Sequence, residues 1–158
     1  MTHKEERMFN IAREISLLSN LHRARVGAVV VTGNRILSTA CNSQKTRPLQ
    51  ERYNTYRNFD DNVVPIPKEH AEIAALSPLI GKEIEWSKVS IFTYRELKNG
   101  KHACSRPCPA CSRLIKDLGI KNVYYVDENG NFVKERYIWK LRTAKYNKPS
   151  ATKENNND

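Results

Sequence analysis

Between residues 8 and 18, apolar side chains recur at three- and four-residue spacing: Met8, Ile11, Ala12, Ile15 and Leu18. That period predicts an amphipathic helix from about Glu5 to Asn20, lying on a sheet face. The pattern then changes. Val26 to Val31 is a short, β-branched, almost wholly apolar run, Thr32-Gly33-Asn34 breaks it, and a second run resumes from Arg35 to Ala40. Two such runs around a Gly-Asn turn predict a β-hairpin. From Cys41 to Asn54 the periodicity disappears, and the stretch reads as a polar, basic loop. Pro65 and Pro67 hold the chain extended before the next element. A helix is expected from about Lys68 or Glu69 to Leu79, with Ile73, Ala74, Leu76 and Leu79 on its buried side. Val89 to Tyr94 predicts a third strand, followed by a loop from Arg95 to Cys104 with an Asn99-Gly100 turn signal.

Pro109 to Leu118 predicts a second helix after Lys68–Leu79, with Pro109 in its first turn and Gly119 as its stop. Ile120 to Val126 predicts a fourth strand and Phe132 the start of a last one. Tyr137 to Tyr146, carrying Ile138, Trp139 and Leu141, predicts a terminal helix. The order of elements predicts a three-layer α/β fold around a mixed five-stranded sheet. A single domain over 1–147 and a disordered polar tail over 148–158 follow, because the tail has nothing to bury.

A chain of 158 residues can bury a core without disulfide staples. No stretch is long and apolar enough for a membrane span, and the start lacks the apolar core of a signal peptide. The expected location is the cytoplasm (the host cytoplasm if the gene belongs to a phage), with no membrane partner. A formal charge of +10 raises a nucleic-acid partner as a possibility. Several of the basic residues lie between Lys134 and Lys153, however, so that partner is not favoured.

Candidate chemistry is concentrated at two places. Three of the four cysteines, Cys104, Cys108 and Cys111, crowd together, which reads as metal binding in a reducing compartment rather than disulfides. Cys41 reads as a buried core thiol. Cys108-x-x-Cys111 at a helix start puts both sulfurs on one side of the first turn, where free N–H groups favour thiolates. His70 would be the third ligand, leaving a fourth tetrahedral position for water, the pattern of a catalytic zinc. Glu72, beside the metal but not on it, could carry that water's proton. Were Cys104 a fourth ligand instead, the zinc would be structural and the chain a nucleic-acid-binding module.

His70-x-Glu72 followed by Pro107-Cys108-x-x-Cys111 resembles the zinc-dependent cytidine and deoxycytidylate deaminase superfamily. Within it the chain is most similar to the deoxycytidylate deaminases found in phages. The resemblance spans roughly Glu5 to Val126. It implies a three-layer α/β/α deaminase-like fold, Zn²⁺ as cofactor, a small-molecule nucleotide substrate and a homo-oligomer. It implies hydrolytic deamination, dCMP to dUMP with release of ammonia, with Glu72 moving the proton and the backbone N–H of Ala71 facing the pyrimidine carbonyl. Asn42 stands where family members contact the sugar hydroxyl. Lys45, Arg47 and Arg52 are then candidates for a 5′-phosphate, which needs several charge-assisted donors. The sequence departs from the commonest pattern at Cys104-Ser105-Arg106, where relatives carry Thr-x-Glu. Arg106 could still offer its backbone carbonyl to the exocyclic amine, while its side chain could reach a phosphate, pair with a carboxylate or face solvent. A deaminase acting on cytosine or adenine in single-stranded DNA or RNA, or on a free nucleoside or base, is the alternative.

Overall fold

Helix α1 (His3–Ser16) begins at a capping box, in which Thr2 Oγ1 accepts from the Glu5 N–H and Glu5 accepts from the Thr2 N–H. The structure is a computed structural model that describes residues 1–57 and 68–138. After α1 come strands β1 (Ala24–Thr32) and β2 (Arg35–Cys41), then the short helices α2 (Pro48–Asn54) and α3 (Ala71–Leu76). Strands β3 (Val89–Leu97) and β4 (His102–Ala103), helix α4 (Pro109–Leu118), and strands β5 (Asn122–Val126) and β6 (Phe132–Arg136) complete it. The sheet runs β2-β1-β3-β5-β6, with β4 added on the free end of β3. All pairs are antiparallel except β3 with β5, whose parallel pairing requires the crossover that α4 supplies. The mixed five-strand core is the one the sequence pattern predicts.

The almost continuous apolar character of β1 has a direct cause: both of its faces are covered. Val29 and Val31 join Met8, Phe9 and Ala12 of α1, with Phe92, Tyr94, Tyr124 and Val126, in one core. Ala28 and Val30 point the other way, to Ile73 and Leu76 of α3 and Leu114 and Ile115 of α4. The result is a three-layer α/β/α sandwich with both ligand-bearing helices on the same face. The hairpin turn has Gly33 at φ +58° and no positive φ at Asn34, the pattern of a type II′ turn with glycine first. At the end of α4, Gly119 adopts the left-handed conformation expected of its C-terminal stop, at φ +94°.

Several expectations are corrected. Helix α1 ends at Ser16 rather than at Asn20 and buries Met8, Phe9, Ala12 and Ser16, whereas Ile11 and Ile15 are only half-buried and Leu18, beyond its end, is 73 % exposed. The small residues face the sheet because Gly27 lies under them, and a Cβ on Gly27 would collide with the Ala12 carbonyl. The stretch 41–54 contains α2, so it is not wholly a loop. The stretch after Tyr94 continues as strand, because β3 extends to Leu97 and folds back through β4. Helix α3 starts at Ala71 rather than at Lys68 or Glu69, and ends in a 3₁₀ turn over Ser77–Leu79. Cys41 is half-buried rather than fully buried. Tyr137 and Ile138 are not helical, and the remainder of the expected terminal helix, the tail over 148–158, and Pro65 and Pro67 lie outside the described residues.

Candidate active site

His70 is the N-cap of α3 and Cys108 the N-cap of α4, so the two helix starts converge. Cys111 lies on the first turn of α4, fully buried. His70 Nδ1 is 3.4 Å from both Cys108 Sγ and Cys111 Sγ, and the three donor atoms lie within 4.8 Å of one another. Tetrahedral ligands at bond lengths of about 2.0–2.3 Å sit roughly 3.5 Å apart, so the donor set fits a zinc ion without rearrangement. The hydrogen bond from Cys111 holds the Cys108 thiol down to about 3, against the opposing effect of burial and with help from His70. Burial, the hydrogen bond to Cys108 and the neighbouring Glu72 charge push Cys111 well above its ordinary value. To hold a divalent metal both sulfurs would have to be thiolates.

Glu72, 5 % exposed, stands beside this cluster, with its Oε2 3.6 Å from Cys111 Sγ. Desolvation raises its pKa above the ordinary carboxylate value, partly offset by His70. Cys104 is not in the cluster among the described residues, so the donor set has three members and the four-ligand structural site is not formed.

The cluster opens into a cavity of about 360 Å³. His70, Ala71, Glu72 and Cys108 form its metal end, and Ala24, Val26 and Asn42 form a wall from β1 and the end of β2. As the first residue of α3, Ala71 has a backbone N–H with no intrahelical partner. The segment before Cys108 is pinned to the middle of β3 and the end of β5. Ser105 donates to the Thr93 carbonyl at 3.0 Å and accepts from the Val126 N–H at 2.9 Å, while Thr93 donates to the Ser105 carbonyl at 2.7 Å. Ser105 also lines the cavity.

The expected substrate contacts are distributed unevenly. Asn42 lines the cavity, but most of its amide is already engaged. Its Oδ1 accepts from Val26 N–H and Ser19 Oγ, and its Nδ2 donates to the Ala24 carbonyl, leaving one N–H. Lys45, Arg47 and Arg52 do not line the cavity. Arg47 instead lies 3.3 Å from the buried carboxylate of Glu69. Arg106 lines the cavity, and its side chain takes the second of the three alternatives, donating to both carboxylate oxygens of Glu135 at 3.0 and 3.3 Å.

The cations that do line the cavity, besides Arg106, are Arg23, Lys68 and Arg95. Sequence reading missed them. For Arg95 the signal was period-two alternation: Ile91, Thr93 and Arg95 share the face of β3 that looks to α3 and α4, once the strand is allowed to run past Tyr94; Arg23 and Lys68 lie outside any strand and had no such signal. The Nε of Arg95 is buried and has no hydrogen-bond partner among the described residues.

An S₂N donor set at two converging helix starts, with a buried carboxylate beside it and a substrate-sized cavity in front, defines a zinc-dependent hydrolase of the deaminase fold. The chain belongs to the cytidine and deoxycytidylate deaminase zinc-binding family, whose model matches residues 2–127. Among solved structures it is similar to the dCMP deaminase of cyanophage S-TIM5 in apo form, with 27 % identity and a TM-score of 0.56, over 80 % of this chain and 86 % of that one. The same phage enzyme in complex with dCMP and dUMP matches at 26 % identity and a TM-score of 0.56, over 80 % and 84 %. A cytidine deaminase from Burkholderia pseudomallei matches at 19 % identity and a TM-score of 0.56, over 86 % and 93 %, and bears on the fold alone. No curated protein sequence matches the chain. Among the described residues, no helix is long and apolar enough to cross a membrane.

Proposed function

We propose that the chain hydrolyses dCMP to dUMP and ammonia. The observation that carries the reading is a single cavity with Glu72 and the cysteine–histidine cluster at one end and the cationic side chains Arg23, Lys68 and Arg95 in its lining. A 5′-phosphate needs several charge-assisted donors, and these cations can supply them. The likeness to a phage enzyme whose structure was determined with dCMP and dUMP supports the same substrate here.

His70, Cys108 and Cys111 would hold the zinc, which supplies Lewis acidity that brings the pKa of water towards neutrality. Glu72 accepts a proton from the attacking water and delivers it to N3 of the cytosine ring as oxygen adds at C4. Glu72 then passes the second proton to the exocyclic nitrogen, so the C4–N bond breaks and ammonia leaves. The Ala71 N–H donates to the pyrimidine O2, and the remaining N–H of Asn42 is available to a sugar hydroxyl. Phosphate recognition falls to Arg95 and Arg23, with Lys68 beside them, in place of Lys45 and Arg47.

The test is ammonia release by the zinc-loaded protein with dCMP, CMP, deoxycytidine, cytosine and a cytosine-containing single strand in parallel. Turnover on dCMP far above the rest is the expected result. Activity confined to the single strand would overturn the choice of substrate and make the charge of +10 the leading feature.

A further inference from the structure

We infer that Gln50 is a positioning residue for the ligand His70. This rests on the zinc-site reading above. Gln50 is the buried residue of α2 and is wholly inaccessible to solvent, a costly place for an amide unless both its ends are bonded. Both are. Its Oε1 accepts the backbone N–H of His70 at 2.8 Å, and its Nε2 donates to Asn54 Oδ1 at 2.7 Å.

His70 needs such a bond because of its place in the chain. It has extended backbone (φ −75°, ψ 148°) and caps α3 without a side-chain capping bond. Its carbonyl starts the helix ladder by accepting from the Ala74 N–H at 3.0 Å, but its own N–H lies outside that ladder. Immediately before it, Glu69 exchanges both backbone bonds with Ser43, at 2.9 and 3.1 Å. The ligand thus sits at a joint between a two-residue bridge and a helix, and Gln50 fixes the joint.

Helix α2 also reaches the other half of the metal site. Tyr53, one turn from Gln50, donates its hydroxyl to Asp117 of α4 at 2.9 Å. The histidine-bearing and cysteine-bearing helices are therefore coupled through α2 as well as through the core. Partners that orient metal ligands contribute to affinity by holding the donor atoms at their working separation. Here that separation is the 3.4 Å between His70 Nδ1 and the two sulfurs.

The experiment is zinc competition against a chromophoric chelator on the full chain, together with the absorption spectrum of the Co²⁺-substituted protein. Gln50→Met keeps the volume and removes the acceptor. It should weaken metal binding about ten- to a hundredfold and alter the Co²⁺ spectrum. Gln50→Glu keeps an acceptor for the His70 N–H and should restore most of the affinity and the spectrum. A purely structural role would lower the melting temperature in both variants without moving the spectrum. Tight zinc binding by the wild-type chain with unchanged affinity and spectrum in Gln50→Met overturns the assignment of Gln50 alone. Failure of the wild-type chain to bind zinc overturns the zinc-site reading beneath it. Should Gln50→Met not fold, Asn54→Ala, which unties only the far end of the amide, decides the matter: a severalfold loss of affinity is expected, and no change overturns the inference.

Discussion

Glu72 and Arg95 divide the proposed chemistry between them, and each carries its own prediction. Glu72 is buried beside the thiols, and among the described residues the metal end of the cavity otherwise holds only the ligands His70 and Cys108 and the apolar Ala71. Glu72→Gln should lower kcat by about 10²–10⁴-fold, the ordinary contribution of a positioned general acid–base. Zinc content should stay at the wild-type level, because Glu72 is not a ligand; metal analysis alongside steady-state kinetics checks both halves. Arg95 should act on binding instead. Losing one charge-assisted contact is worth about 1.5–3 kcal/mol, so Arg95→Ala should raise KM for dCMP roughly ten- to a hundredfold. Lys45→Ala, on an exposed side chain away from the cavity, should leave KM unchanged. KM values for the two variants, with deoxycytidine as a substrate lacking the phosphate, distinguish a phosphate contact from a general loss of the site.

At the scale of elements, the close approach of α1 to β1 depends on the absence of a side chain at Gly27. Ala12 and Ser16 lie directly over it, and a methyl group there meets helix backbone, which cannot yield as a flexible side chain would. Gly27→Ala should cost about 1–3 kcal/mol of stability, the range for overpacking a core, read from the denaturant midpoint at constant slope. The same contact explains why the helix's buried stripe differs from the one its most apolar residues suggest. Periodicity identified α1 correctly as an amphipathic helix, but it ranked faces by hydrophobicity. Packing selected the face on which the small residues Ala12 and Ser16 follow Met8 and Phe9, because those two let the helix sit down on the strand at Gly27. Helix α2 was illegible for a related reason. Its seven residues bury one side chain, Gln50, and a polar residue in the core leaves no apolar period to detect.

The whole molecule should feel its metal. Zinc binds the folded arrangement of His70, Cys108 and Cys111, whose histidine is far in sequence from the cysteine pair and separated from it in the unfolded chain. At free zinc about a hundredfold above the dissociation constant, binding stabilises the fold by about 2.7 kcal/mol. For a chain of this size that corresponds to a fall of roughly 5–10 °C in melting temperature on chelation. Calorimetry of the metal-loaded and chelator-treated protein checks this, and restoring zinc should recover both melting temperature and turnover.

The sequence by itself determined the elements whose signals are local: the hairpin around Gly33, the stop at Gly119, the strands with two covered faces, and the three ligands at two predicted helix starts. It also determined the donor set of His70, Cys108 and Cys111, because these residues, with Glu72 beside His70, stand in an order and spacing that few chemistries use. Only the tertiary structure decided which cations face the cavity. Lys45 and Arg47 are neighbours of Asn42 along the chain, whereas Arg23 and Arg95 become its neighbours through strand pairing, with Val26 opposite Arg95 in the register of β1 and β3. Arg47 and Arg106 turned out to be held by Glu69 and Glu135. A guanidinium is chosen by whichever carboxylate the fold brings within reach. That choice is made by contacts between residues distant in sequence, which no local pattern records.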